Sequence, residues 1–276
     1  MKIACIDVDH IFYLSLTGEK ILYENGEPIK VDGKFTYRER TFEESCKVAD
    51  DYITNILNVT EATHYIGFFG GSSKSRKDIY PEYKANRKDL EPLKNLTEMK
   101  QYLIDKWTFI ELRHIPFNKK YDTFWLNIDY ETDDYVASFV NSNDYSFIVS
   151  PDKDLLSLEG NHYNPRKNEW VYVDQPTAYH NFWVSMIVGD TSDNIKGIPG
   201  KGPKYAEALI EEDEQGTLYP MLIFQEYTKH FGEHLGIQEF YKNYMCLKIK
   251  NDLDISTFAV IEWTNTVIEE QNYDIT

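Results

Sequence analysis

The chain has 276 residues, 42% hydrophobic, 15% aromatic and 27% charged, which is enough for one large α/β domain or two smaller lobes and is not the usage of a disordered chain. Forty-six Asp and Glu against 29 Lys and Arg leave a net charge of −17, and the scattered Cys5, Cys46 and Cys246 argue against a disulfide framework or a thiolate metal site. No stretch approaches the roughly 20 apolar residues of a membrane span, and Lys2, Asp7 and Asp9 break the N-terminal run that might imitate a secretory signal, so a soluble cytoplasmic protein is expected.

In chain order, KIACIDVD is a short apolar run ending in acids, the pattern of a buried central strand whose carboxyl end meets a site. Residues 21–37 alternate and carry turn signals at Asn25–Gly26 and Asp32–Gly33, which predicts a hairpin. Phe42–Leu57 has helical spacing, and His64–Phe69 is the next strand. Gly70, Gly71 and three serines mark a loop into a basic segment, and Leu90–Lys106 reads as a helix. Phe109–Leu112, Ser146–Val149 and Trp170–Val173 are further short strands, with a helix starting near Glu131. After about residue 175 the pattern turns mostly helical, which predicts two regions, 1–175 and 176–276. Alternating strands and helices predict an α/β fold with a parallel-type central sheet flanked by helices.

Net charge alone opposes a nucleic-acid partner, but its distribution does not. From Lys74 to Lys88 six cations face two acids, and from Lys196 to Lys204 there are three lysines and no acid. Two basic islands on an acidic chain predict a polyanion gripped at defined places.

Acids recur at the ends of successive elements. Asp7 follows the first strand, Glu131, Asp133 and Asp134 open a helix, Asp152 and Asp154 follow SFIVSP, and Asp190 and Asp193 lie in VGDTSDN. Each group falls where a parallel sheet presents its carboxyl edge. Taken singly, such acids are partners of helix dipoles. Gathered in one cleft, eight carboxylates would repel strongly unless hard divalent cations sat among them, and two Mg²⁺ or Mn²⁺ ions roughly 4 Å apart suit phosphodiester hydrolysis.

In GDTSDNIKGIPGKGPKYAEAL, residues 189–209, Gly197, Gly200 and Gly202 with Pro199 predict a tight hairpin between two short helices. Glycine lets backbone N–H groups approach a phosphate, and Lys201 and Lys204 add charge there. In YPEYKANRK, Tyr83, Lys84 and Arg87 offer an aromatic platform beside cations, flanked by Arg76 and Lys88 as further DNA-binding candidates. His230 and His234 are four apart but lack the HExxH glutamate, and SPDKDLLSLEG has Ser157 where a calcium loop needs glycine, so neither is a metal site.

YPEYKANRK, DYETDDYVA, VSPDKDLLSL and VGDTSDNIKGIPGKGPKYA, together and in this order, resemble the 5′-nuclease family of flap endonucleases and 5′-3′ exonucleases, most of all its stand-alone phage-type members. The resemblance spans roughly residues 1–210. It implies a helical arch over the active site, a helix-hairpin-helix region, and two-metal hydrolysis of DNA with 5′ ends, flaps or nicks, or of RNA–DNA hybrids, in replication or repair. It also implies a polymerase or single-strand-binding protein as partner. By the same resemblance Asp7, Glu131, Asp133, Asp134, Asp152, Asp154, Asp190 and Asp193 are metal ligands. Lys84 and Arg87 contact the scissile phosphate, and the hairpin carbonyls bind a monovalent cation such as K⁺.

The chain departs from the family pattern in three places. The usual acid after the second strand is absent, its register falling on Phe69, or on Gly70 with a gap. Asp9, two residues beyond Asp7 and so on the same side of an extended strand, is expected to replace it. Leu14 and Ser15 stand where the first helix usually carries Arg, and 115–128 reads as an insertion. The missing acid is the feature that would favour a catalytically degenerate protein that binds branched DNA.

Overall fold

The computed structural model describes residues 1–20, 29–88, 91–112, 129–211, 218–253 and 265–266. The expected turn at Asn25–Gly26 and the 115–128 insertion lie outside them.

The chain begins with β1 (Ile3–Asp7) and α1 (Asp9–Leu16), followed by four two-residue strands, β2 (Glu19–Lys20), β3 (Lys30–Val31), β4 (Lys34–Phe35) and β5 (Tyr37–Arg38). β3 and β4 pair antiparallel about the expected turn at Asp32–Gly33, and β2 pairs with β5. The helix α2 (Phe42–Thr60) is launched by a reciprocal cap in which Thr41 Oγ1 accepts from Glu44 N and the Glu44 carboxylate accepts from Thr41 N, and it leads into β6 (His64–Phe69). Then come the one-turn α3 (Lys74–Lys77), α4 (Leu96–Trp107), β7 (Ile110–Glu111), α5 (Thr132–Asn141) and β8 (Ser146–Val149). α4 starts later than its apolar spacing predicts, because Pro92 disfavours helical backbone in the residue before it and Asn95 is left-handed at φ 59°. β9 (Gly160–Asn164) and β10 (Glu169–Val173) form a hairpin. The remainder comprises α6 (Gln175–Val188), the short ladder β11 (Gly189–Asp190) with β12 (Ile195–Lys196), α7 (Pro203–Ile210), α8 (Tyr219–Phe231), α9 (Glu233–Leu247) and β13 (Asn265–Thr266).

The sheet order is β10-β9-β8-β1-β6, with β7 and β13 sharing the outer edge of β6. β9, β8, β1, β6 and β7 run parallel, whereas β10 and β13 are antiparallel to their neighbours. Trp170–Val173 is therefore not a parallel strand, and its hairpin partner Gly160–Asn164 left no apolar run in the sequence. Side-chain alternation divides the core: Ala4, Ile6 and Phe69 join α1, α2 and α4 on one face, while Ile3, Cys5 and Phe68 join α5 on the other. All five parallel strands end on the same edge, and so do the loops that carry the acids.

α6 to α9 enclose a separate core around Trp183, Met186, Ile223 and Tyr227. The chain nevertheless returns to the sheet after α9, where Ile249 packs among Tyr135, Val136 and Leu155. The expected division at residue 175 is thus crossed by the 246–253 segment. Among the described residues no helix is long and apolar enough to cross a membrane.

Candidate active site

A cavity of about 290 Å³ opens at the carboxyl edge of the sheet, lined by Asp7, Asp9, Gly71, Ser73, Lys84, Arg87, Glu131, Thr132, Asp133, Asp152, Asp154, Ser192 and Asp193. Seven of the nine candidate acids therefore meet there. Asp7, at the end of β1, accepts from Ser150 Oγ at 2.9 Å and from Asp9 N at 3.2 Å. Ser150 Oγ in turn accepts from Asp152 N at 3.0 Å, and Asp152 accepts from Asp154 N at 2.9 Å, so the loop after β8 winds its acids around the end of β1. Asp190 is buried in the ladder after α6, where both its oxygens are taken by Ser192 N and Oγ, at 2.8 and 2.9 Å.

Asp9 lies at the start of α1, not on the strand as the period-two argument required. It still reaches the cavity, and it ties three elements together by accepting from Gly70 N at 3.2 Å and Thr132 Oγ1 at 2.7 Å. Phe69 is fully buried on the α2 face, edge-on to Phe12 at 5.2 Å. The absent acid is not accommodated by the following residues either: Gly70 is left-handed at φ +72°, a conformation side chains rarely adopt. A Cβ on Gly71 would fall 2.3 Å from Thr132 N, so glycine is what lets the start of α5 approach the end of β6.

The cations are arranged otherwise than the sequence predicts. Arg76 is buried and makes a bidentate pair with Asp134, Nη1 to Oδ2 at 2.7 Å and Nη2 to Oδ1 at 2.8 Å, and its Nε donates to the Cys246 carbonyl at 3.0 Å. Asp134 also accepts from Glu131 N and Lys250 N. Neither residue is available to DNA or to an ion in the cavity, because the pair and its backbone partners, with Lys248 O accepting from Arg76 Nη2, occupy their donors and acceptors in the core. Their pair fastens α3, α5 and the chain after α9 to one another. Tyr83 is no exposed platform: it is 1% exposed, with its hydroxyl 2.9 Å from Glu131 Oε2 and 2.5 Å from Asp193 Oδ2. Lys84 Nζ donates to Glu131 Oε1 at 2.6 Å, and Arg87 Nη2 to Asp193 Oδ1 at 2.6 Å. Among the described residues, the 74–88 segment that carries these cations holds only α3 and a 3-10 turn at Ala85–Arg87. It is docked on the 190–194 loop by Lys84 N to Asp193 O, Asn86 Nδ2 to Thr191 O and Asn194 Nδ2 to Glu82 O. Lys88 is exposed.

Beyond the acids, Lys201 stacks its ammonium 3.6 Å from the centre of the Tyr205 ring, and Lys204 is exposed. Gly200 is left-handed at φ +77° and open, as a phosphate-facing turn requires. Gly202 is exposed at the entry to α7. Gly197 is different, since a Cβ there would lie 2.1 Å from Ile187 O: its glycine serves packing against α6, not approach to a phosphate.

The charge balance of the cavity is unusual. Burial first, then the charges of Asp9 and Asp152, push the Asp7 carboxyl up to about 7. Burial, followed by Asp152, pushes Asp154 up to about 7, and burial with Asp7, Asp152 and Glu131 raises Asp133 well above the carboxylate range. Glu131 goes the other way: burial opposes it, but Lys84 and Arg76 hold it at about 2. Asp7, Asp9, Asp133, Asp152 and Asp154 enter no ion pair among the described residues. Such a site fits a hard cation in charge and donor type. Among the described residues, however, no three of these groups close on one point as the ligands of an ion would.

The hydroxyls of Ser150, Thr132, Ser73 and Ser192, which aim the acids, were missed in the sequence. Their signal was position, since each is interleaved with the acids or lies in the Gly/Ser loop.

Fold and site define an α/β protein with an acid-lined cleft at the carboxyl edge of a parallel sheet. No protein-family model matches the chain. It is 35% identical over 154 residues to DNA polymerase I of Borreliella burgdorferi, covering 50% of this chain and 15% of that one. It is 28% identical over 190 residues to flap endonuclease Xni of Aeromonas salmonicida, covering 60% and 63%, and 27% identical over 235 residues to flap endonuclease Xni of Vibrio vulnificus, covering 77% and 83%. The chain thus spans less than two thirds of the first two of these relatives. Its fold superposes on the bacteriophage T5 flap endonuclease crystallised with metal ions at a TM-score of 0.56, with 17% identity over 95% of this chain and 96% of that one. A complex of the T5 enzyme with DNA and metal ions gives a TM-score of 0.56 at 16% identity, over 89% and 90%. In sequence the chain is thus similar to flap endonucleases and to a stretch of DNA polymerase I, and in fold to the T5 flap endonuclease.

Proposed function

We propose that this chain is a divalent-metal-dependent 5′ nuclease that hydrolyses phosphodiesters of DNA bearing 5′ ends, flaps or nicks. The observation that carries the reading is the cavity itself, where five carboxylates without ion-pair partners among the described residues gather beside Lys84 and Arg87. Asp7, Glu131, Asp133, Asp152, Asp154, Asp190 and Asp193 would hold two Mg²⁺ or Mn²⁺ ions. Such ions supply Lewis-acid activation of water and neutralise charge that develops on the phosphodiester. Asp9 acts through position, fixing the Gly70 loop against the start of α5. Lys84 and Arg87 hold the scissile phosphate, where a cation counts most in the transition state. Residues 176–276, with the hairpin around Gly200 and the cations Lys201 and Lys204, grip the duplex backbone. A monovalent ion such as K⁺ on the hairpin carbonyls, action on RNA–DNA hybrids, a polymerase or single-strand-binding partner and a cytoplasmic location belong to the same reading.

The test is a panel of 5′-labelled flap, nicked, blunt and single-stranded DNAs, and flaps with RNA 5′ strands, incubated with Mg²⁺, Mn²⁺ or EDTA. Metal-dependent cleavage that favours flaps or nicks supports the reading. Tight flap binding without cleavage in either metal would instead assign a degenerate branched-DNA binder.

A further inference from the structure

Donors crowd both oxygens of the Glu131 carboxylate. Oε1 accepts from Lys84 Nζ at 2.6 Å and from Ser73 Oγ; Oε2 lies 3.3 Å from Arg76 Nη1 and 2.9 Å from the Tyr83 hydroxyl, whose single proton is shared with Asp193 Oδ2 at 2.5 Å. Lys84 and Ser73 line the cavity and use both lone pairs of Oε1, so a cation in the cavity reaches that oxygen only by displacing a donor. Three of the four donors are poor candidates. Arg76 is buried and fixed by Asp134 and Cys246, and Tyr83 is wholly buried. Loss of Ser73 would leave the ammonium of Lys84 facing the incoming cation.

Lys84 differs from them in each respect. Its side chain is 20% exposed and lies on the cavity wall. Its backbone N–H is anchored to Asp193 O at 2.9 Å, while a four-carbon stem leaves the ammonium free to swing. Its second carboxylate contact, Asp193, is at 3.6 Å.

We propose that Lys84 is a displaceable counter-ion of the acid cluster, so that divalent-cation binding at Glu131 and release of the Lys84 ammonium toward the substrate phosphate are one coupled step. This inference rests on the nuclease reading above. Coupling of this kind is reciprocal: the cation frees Lys84, and removal of the Lys84 charge tightens the cation. The same residue that favours turnover therefore weakens metal binding in the chain without DNA.

Two measurements test it on the full chain without DNA. Mn²⁺ binding followed by calorimetry, in chain whose fold is checked by circular dichroism, should show Lys84→Met lowering Kd about tenfold. Lys88→Met, which removes an exposed charge nearby, should stay within about twofold of wild type. In wild type, acylation of Lys84 read by mass spectrometry should accelerate severalfold when Mn²⁺ is added, because the amine leaves its carboxylate partner. That arm decides alone if Lys84→Met does not fold. Unchanged or weaker Mn²⁺ binding by folded Lys84→Met, equal tightening by Lys88→Met, or acylation indifferent to Mn²⁺ would each overturn the proposal and leave the nuclease reading standing. Absence of Mn²⁺ binding in wild type and variant alike would overturn both.

Discussion

Without metal, Asp7→Asn should make the protein more stable than wild type, by a margin that grows with pH. Burial, together with the charges of Asp9 and Asp152, raises the folded-state value of Asp7 from 3.8 to about 7. Between those values the folded chain holds a proton that the unfolded chain has released. The stability this contributes is complete below about pH 4 and is lost as pH rises through about 7. The difference corresponds to at most about 4 kcal/mol. Asp154 moves in the same direction but shares the repulsion, so the two do not add. His10 has the opposite slope: burial lowers it to about 3, so the folded chain lacks a proton that the unfolded chain carries up to about pH 6.5. Wild type alone therefore shows a blunted pH profile, and the difference from Asp7→Asn isolates the carboxylate. Urea titrations in EDTA at several pH values from 4.5 to 8 should give nearly equal stabilities at the acid end and a gap of a few kcal/mol at the alkaline end. Excess Mn²⁺ should reverse the order at pH 8. Equal stabilities at pH 8 in EDTA would refute the argument that these acids are electrostatically frustrated.

Three further outcomes are expected. Arg76→Met strands the buried Asp134 carboxylate and should cost about 3–5 kcal/mol in urea unfolding, against well under 1 kcal/mol for a surface pair such as Lys47–Asp51. Asp9→Asn should raise the Mg²⁺ needed for half-maximal cleavage. Phe69→Asp should not rescue that variant but unfold the chain, since it trades an aromatic contact with Phe12 for an unpaired buried charge; recovery of cleavage in the double variant would contradict this. Lys201→Ala with Lys204→Ala should reduce the salt dependence of binding by roughly one unit of slope per lost phosphate contact, on every duplex sequence alike.

The order of acids along the chain made the cleft legible, because parallel strands must end together and the loops after β1 and β8 and before α5 carry those acids. Three things were not legible. Asp134 and Arg76 carry the residue types of a functional site, yet they face each other in the core; sequence spacing does not reveal that α3 passes beneath the start of α5. Tyr83 looked like a platform because its neighbours are cationic, whereas the carboxylates of Glu131 and Asp193 draw its hydroxyl inward. The β9–β10 hairpin escaped notice because GNHYN has no apolar run, its pairing being set by the strand beside it. The alternation that places Phe68 and Phe69 on opposite faces was readable, and it already implied that an acid at 69 would point into the core.

The central claim is that the acid-lined cavity hydrolyses 5′-ended DNA by means of divalent cations held on its carboxylates. It is tested most directly by single-turnover cleavage of a 5′-labelled flap by wild type and by Asp133→Asn, with Mn²⁺ binding measured on the same samples. The account predicts cleavage by wild type that EDTA abolishes, and a variant that still binds the flap but cuts at least about a hundredfold more slowly and holds Mn²⁺ more weakly. Wild-type rates in a variant with wild-type Mn²⁺ binding would contradict it.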